Sequence, residues 1–274
     1  MNELENLKET ILKDAPRFTE NDGFRFSCRK GLNCFTQCCA DVNIFLTPYD
    51  ILRMKTRLGI SSEEFLAQYT LVPFNDKQQL PVVILKMADG KDKRCPFVTS
   101  EGCTIYEDRP WSCRMYPLGL ASPKEGACAG EQKFYFLMEE SHCHGFGEAQ
   151  EWTVRDWLDD QGIAIYDEMG EFFKEITLHD YFKRVSLDPE KMEMFYMACY
   201  DLDRFKRFVF ESRFFQYFDI DPELVERIRN DDVEMMKFAF QWLRFAMMGE
   251  PTIKIRGDVL ESRKQRLFGD EKKP

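Results

Sequence analysis

Nine of the ten cysteines, Cys28, Cys34, Cys38, Cys39, Cys95, Cys103, Cys113, Cys128 and Cys143, precede residue 150, and only Cys199 follows. No other feature constrains the fold as tightly. Scattered core cysteines explain neither that asymmetry nor the vicinal pair Cys38-Cys39. Disulfides are disfavoured by compartment. The acidic, amphipathic N-terminal segment MNELENLKETILKDAPRF has no basic region followed by an apolar one and no small-residue cleavage site, so a cytoplasmic location is expected. In a reducing compartment, thiols clustered in sequence serve as metal ligands or catalytic groups more often than as bridges. A thiol-redox enzyme would place a Cys-x2-Cys pair at a helix start beside a strand, and these intervals do not supply one. The expectation is a cysteine-ligated metal site.

The first cluster, Cys28-x5-Cys34-x3-Cys38-Cys39, puts four sulfurs into a short Gly-containing segment that reads as a loop. Thiolates are soft ligands that favour zinc and iron–sulfur clusters, and metal relieves the repulsion of like charges gathered in one place. Adjacent side chains point apart, so Cys38 and Cys39 either divide between ligating and packing or serve a polynuclear cluster together. The second cluster runs Cys95-Pro-Phe97, Cys103, Cys113. Its Ser100-Glu-Gly102 tip makes Cys95 and Cys103 partners across a tight hairpin. Arg109 and Arg114 bracket Cys113, where they either stabilise thiolates or pair with Glu107 and Asp108 on the surface. Cys128 and Cys143 are further candidates. His142 and His144 flank Cys143 and read as surface residues, and Cys199 reads as a core thiol on an apolar helical stripe.

The predicted fold class is α+β: a small, loop-rich cysteine-cluster part with short strands over residues 1–150, then a mainly α-helical part over 151–274. A helix is expected over residues 3–14. Thr47-Pro48-Tyr-Asp50 is a strong helix start ended by Gly59, and Ser61-Ser-Glu-Glu64 starts another. Residues 42–46, 80–87 and 133–138 read as strands. Gly145-Phe-Gly147 marks the boundary, after which Thr153-Val-Arg-Asp156 opens a helix. Apolar spacing of three and four predicts helices near 153–184, 188–212, 222–229 and 231–248, with Met194, Ala198, Leu202, Phe205 and Val209 on one core stripe. The polar last twenty or so residues are expected to be mobile. A net charge of -10 disfavours nucleic acid and anionic lipid surfaces as partners. No run of about 18 apolar residues suggests a membrane span.

Phe26-x-Cys28-x5-Cys34-x3-Cys38-Cys39, Cys95-Pro-Phe97 and Gly102-Cys103-x-Ile105-Tyr106-Glu107-x-Arg109-Pro110-x2-Cys113-Arg114-x-Tyr116-Pro117 together resemble the YkgJ-like cysteine-cluster family, the CxxCxxCC zinc- or iron-chelating domain. The gaps in the first motif are wider than is common there, and the second motif is the more specific. The resemblance runs from about residue 24 to about 165 and implies a metal chelator without an assigned reaction. A more distant similarity to flagellin lysine-N-methylases makes a methyltransferase the enzymatic alternative, although the chain has no G-x-G-x-x-G loop for a cofactor. Cys34, Cys38, Cys39, Cys95, Cys103 and Cys113 lead the ligand set, with Cys28, Cys128 and Cys143 behind them. Nine thiols exceed the four that one tetrahedral ion needs, which favours an iron–sulfur cluster with spare cysteines, or two separate sites. Zinc in a structural role is the alternative, with the acidic helical part then a docking module for a protein partner.

Overall fold

The computed structural model describes residues 15–73, 80–121 and 133–268, with side chains described through residue 262. The helix expected over 3–14 and Cys128 lie outside the described residues. The fold is α+β, with short strands in the N-terminal half and helices concentrated towards the C-terminus. Among the described residues, no helix is long and apolar enough to cross a membrane.

Two compact units are built from interleaved stretches: Met1–Ile44 with Lys86–Glu168, and Phe45–Leu85 with Met169–Pro274. This differs from a linear division at residue 150 in two ways, each with a physical reason. Residues past 150 complete the cysteine unit, because strand Glu151–Thr153 pairs antiparallel with Gly23–Arg25, and Trp157 and Ile163 enter its core. Conversely, the excursion Phe45–Leu85 folds with the helices. Its Ser62 hydroxyl donates to Asp201 Oδ1 at 2.6 Å, and its Lys55 ammonium donates to Asp203 Oδ1 at 2.9 Å.

The core of the cysteine unit gathers Phe24, Phe26, Met115, Leu118, Tyr135, Val154, Trp157 and Ile163. Strands Leu118–Ala121 and Phe134–Leu137 pair antiparallel in register Leu118↔Leu137. The Thr153 hydroxyl accepts from the Asp156 N–H as the capping box predicts, starting helix Val154–Asp160, which Gly162 at φ +60° separates from helix Ile163–Thr177.

In the helical unit, helix Pro48–Leu58 begins with the Thr47/Asp50 capping box and ends at Gly59, whose φ of 67° is left-handed. Helix Ser62–Tyr69 opens with the Ser61/Glu64 box. The expected strands are present but shorter, Phe45–Leu46 and Val83–Leu85, joined by Thr70–Leu71 in a three-stranded antiparallel sheet with Val83–Leu85 central. The stripe over 188–212 is carried by two helices, Pro189–Cys199 and Leu202–Glu211. The break falls where Asp201 caps the second by accepting from the Arg204 N–H. Ala198, Leu202, Phe205 and Val209 are buried; Met194 is only half-buried. Helix Asp232–Met248 buries Met235, Phe238, Ala239, Trp242 and Leu243 against its neighbours. The C-terminal expectation differs: Gly257–Phe268 is helical rather than a loose tail.

Lys55 is buried and touches both Asp203 and Asp232, while Asp203 also accepts from the Ser62 N–H at 2.6 Å. Burial works to raise the Asp203 pKa, but the Ser62 and Lys55 contacts outweigh it and hold the carboxyl below its usual range. A depressed carboxyl stabilises the fold above its unfolded pKa, and that stability is lost as pH falls through the folded value. Asp203→Asn is therefore expected to cost about 2 kcal/mol at neutral pH, within the range for hydrogen bonds to charged groups, and to flatten the acid limb of a melting-temperature profile. An unchanged acid limb would remove Asp203 from this account.

Candidate metal centre

The cysteine segment has little regular backbone structure. Gln37–Cys39 forms one 3-10 turn, and its neighbours are held by isolated bonds. Three non-glycine residues around it, Thr36, Asp41 and Lys93, have left-handed φ values of 65°, 52° and 40°. Such conformations are costly, most of all for a β-branched residue such as Thr36, and they persist where surroundings fix them and cluster at functional sites. Here the fixing contacts are visible. The Asp41 N–H donates to the Lys93 carbonyl at 3.0 Å, the Lys93 ammonium meets Asp41 at 2.8 Å, and Arg94 donates to the Thr36 hydroxyl at 3.0 Å.

Cys28, Cys34, Cys38 and Cys143 line one small cavity, together with Phe26, Tyr116 and His142. Two backbone bonds close the sequence gap between the first cluster and Cys143: Phe26 N–H to the Gln150 carbonyl at 3.0 Å, and Ser27 N–H to the Gly145 carbonyl at 3.1 Å. The His144 N–H donates to Cys34 Sγ at 3.2 Å. The free space is about 10 Å3, room for one atom-sized guest. Burial pushes the Cys28 thiol up to about 11, helped by the neighbouring Cys38, Cys34 and Cys143. The Cys38 thiol is pushed up by its hydrogen bond with Cys39, then by burial. The Tyr116 hydroxyl is buried without a well-aligned hydrogen-bond partner, and burial followed by the adjacent Cys143 raises its pKa.

Strands Val98–Thr99 and Gly102–Cys103 form the hairpin that the tip sequence predicts, but its register sets Cys103 opposite Val98 and not opposite Cys95, which precedes the first strand. The hairpin leans on the first loop: a Cβ on Gly102 would come within 3.3 Å of the Phe35 ring, and Lys30 pairs with Glu101 at 2.5 Å. Cys113 is exposed on the short helix Trp111–Met115. Cys199 is buried in the helical unit as expected of a core thiol.

Arg109 and Arg114 follow neither expectation in full. Both are buried. Arg114 donates to the carbonyls of Arg109 at 3.0 Å, Gln161 at 2.7 Å and Glu107, and lies over the Tyr166 ring. Arg109 donates to the Tyr106 carbonyl and to Gln161 Oε1, with its guanidinium 3.7 Å from the Tyr106 ring centroid. Burial lowers its pKa, and the nearby Cys113 and Cys103 counteract that in part. These arginines pin the segment that carries Cys103 and Cys113. His142 and His144 are exposed, and His142 lies 3.2 Å from Glu140.

Cys28 and Cys143, named from the sequence as further candidates, line the cavity with Cys34 and Cys38. Two other features of the cavity had no role in the sequence reading. Tyr116 stood in the quoted motif without a role. Gly145, read as a boundary, is buried within the site: a Cβ there would lie 2.7 Å from the Phe26 ring and 2.8 Å from the Ser27 carbonyl oxygen. Because that oxygen belongs to backbone, Gly145→Ala is expected to cost about 1–3 kcal/mol and to lower metal retention, measured by thermal denaturation and metal content. Unchanged values in both would show that the wall yields freely.

Among the described residues, no three His, Cys, Asp or Glu side chains are arranged to hold a metal ion as they stand. The fit rests on donor chemistry: four soft sulfur donors facing one cavity match zinc or iron and not magnesium or calcium. No curated protein and no solved structure matches the chain significantly. A family model does, over residues 27–144, and its description is CxxCxxCC, "putative zinc- or iron-chelating domain". The match begins one residue before Cys28 and ends one residue after Cys143, so it encloses both cysteine clusters. Over those residues, then, the chain is similar to the CxxCxxCC domain.

Proposed function

We propose that Cys28, Cys34, Cys38 and Cys143 are the ligands of a thiolate centre for a single zinc or iron ion, whose role is to hold the cysteine unit together. The observation that carries this reading is the shared cavity of about 10 Å3. A single ion suits that space. An iron–sulfur cluster, which the cysteine count favours, would require the walls formed by Phe26 and Tyr116 to part. No arrangement among the described residues favours methyl transfer.

The test is an anaerobic purification followed by an absorption spectrum and a metal and acid-labile sulfide assay on one sample. Zinc or iron without sulfide is expected. Iron with matching sulfide and broad visible absorbance would replace the single ion by a cluster.

The elevated Cys28 pKa gives a second test. Its thiol keeps its proton at neutral pH, so ligation must expel it. Adding zinc to metal-free protein in weak buffer should release protons, and apparent affinity should rise about tenfold per pH unit for each proton displaced, below the thiol pKa. An affinity independent of pH would exclude Cys28 as a ligand.

A further inference from the structure

Cys39 is half-buried and does not line the cavity described above, yet its thiol is hydrogen-bonded to that of Cys38, which does. Adjacent side chains on an extended chain point apart. These two meet because the chain turns: the Gln37–Cys39 3-10 turn follows left-handed Thr36, and the Cys39 N–H donates back to the Thr36 carbonyl at 3.2 Å. The turn is held from outside as well. The Cys39 carbonyl accepts the Cys95 N–H at 2.8 Å, and Ala40 bridges antiparallel to Arg94. Two thiols in contact on a backbone fixed at both ends need little further ordering to react with each other.

A bond between them would be of a particular kind. Adjacent Cα atoms lie about 3.8 Å apart across a trans peptide, closer than the separation of about 4.4–6.8 Å at which disulfides are relaxed. Such a bond is strained, and strained disulfides are the easily reduced, regulatory ones. In a reducing compartment that is the behaviour of a sensor and not of a staple.

We propose that Cys38 and Cys39 form a reversible vicinal disulfide that, under a peroxide oxidant, withdraws Cys38 from the metal centre and releases the ion. The release rests on the metal reading given above; the disulfide itself does not. The Cys39 thiolate attacks one peroxide oxygen, the O–O bond breaks, the sulfur becomes a sulfenic acid, and the other oxygen leaves as water with the proton the thiol lost. Cys38 then attacks the Cys39 sulfur. The S–S bond forms, the S–O bond breaks, and a second water leaves with a proton from Cys38 or, when Cys38 is metal-bound, from solvent. Two electrons pass from the sulfurs to the peroxide, and a small dithiol returns them by exchange. A sulfur in a disulfide is no longer a thiolate ligand. By linkage, bound zinc must in turn disfavour the disulfide.

The test uses full-length protein purified anaerobically and divided into metal-free and zinc-loaded samples. Each is treated with a small molar excess of hydrogen peroxide. Zinc release is followed with a chromogenic chelator, the remaining thiols are alkylated in denaturant, and the digest is mapped by mass spectrometry. Both samples should give Cys38 and Cys39 unalkylated and joined, in a peptide lighter by two hydrogens. The loaded sample should lose its zinc, and dithiothreitol with fresh zinc should restore it. Cys39→Ser should take up zinc as the wild type does and lose the prompt peroxide-driven release. Cys38 and Cys39 found alkylated in the metal-free sample, or joined to other cysteines, would overturn the pair, and this mapping needs no variant to fold. A Cys38–Cys39 bond that forms while zinc stays bound would overturn the switch and remove Cys38 from the ligand set. Prompt release that persists in Cys39→Ser would overturn it as well. A reduced chain that takes up no zinc but forms the bond would overturn the metal reading and support the pair.

Discussion

Withdrawing the metal should lower the melting temperature of the full-length protein by about 10 °C. At free metal a thousandfold above its dissociation constant, binding to the folded state alone contributes about 4 kcal/mol, and each kcal/mol moves the midpoint of a chain of this size by about 2–4 °C. The effect should be concentrated in the cysteine unit, whose regular pairing is thin: one 3-10 turn, a hairpin of two-residue strands, and left-handed backbone at Thr36, Asp41 and Lys93. Such a segment has few backbone bonds with which to offset the entropy of ordering it. The hydrophobic core around Trp157 does not depend on metal, so residual structure is expected rather than complete unfolding. Calorimetry with and without chelator measures the shift, and superimposable traces would contradict a structural role for the ion.

Phe26→Ala should cost about 3–5 kcal/mol, the largest effect of any single substitution named here. Phe26 is 2% exposed and stands between core and site. Its ring meets Trp157 edge-on at 5.6 Å, Tyr116 edge-on at 5.7 Å and Phe146 at 5.3 Å. Removing it opens a cavity that rigid aromatic neighbours cannot fill, and it frees the segment that places Cys28 beside Cys143. Loss of stability should therefore be accompanied by weaker zinc retention. Cys199→Ala is the contrast: it also opens a cavity at a fully buried position, but within the helical unit, so it should lower stability modestly and leave metal content unchanged. If Phe26→Ala loses stability but keeps its metal at wild-type affinity, the core and the site are not mechanically linked.

Local signals carried the helix starts well, because a capping box is complete within four residues. Thr47/Asp50, Ser61/Glu64 and Thr153/Asp156 all form as their sequences predict. The turn between Val98 and Cys103 was legible for the same reason, with Gly102 at φ +115° near its tip, although the register pairs Cys103 with Val98 and not with Cys95. Long-range information was not legible. Nothing in the local sequence announces that Glu151–Thr153 pairs with Gly23–Arg25, over a hundred residues away, and that pairing carries the cysteine unit past residue 150. Nor does spacing reveal which thiols share a cavity: Cys143 reaches Cys34 and Cys38 through backbone bonds at Ser27 and Gly145, which a linear reading sees only as a glycine-rich break. The excursion 45–85 was assigned to the cysteine part because it lies between cysteines in sequence, whereas Ser62 and Lys55 bind it to Asp201 and Asp203.

X-ray absorption at the metal edge of the purified, full-length protein reports whether cysteine sulfurs surround the bound ion. A first shell made of sulfur alone is expected, about four scatterers at about 2.3 Å for zinc. A first shell of nitrogen and oxygen, or protein purified under reducing conditions that takes up no zinc or iron, would contradict it.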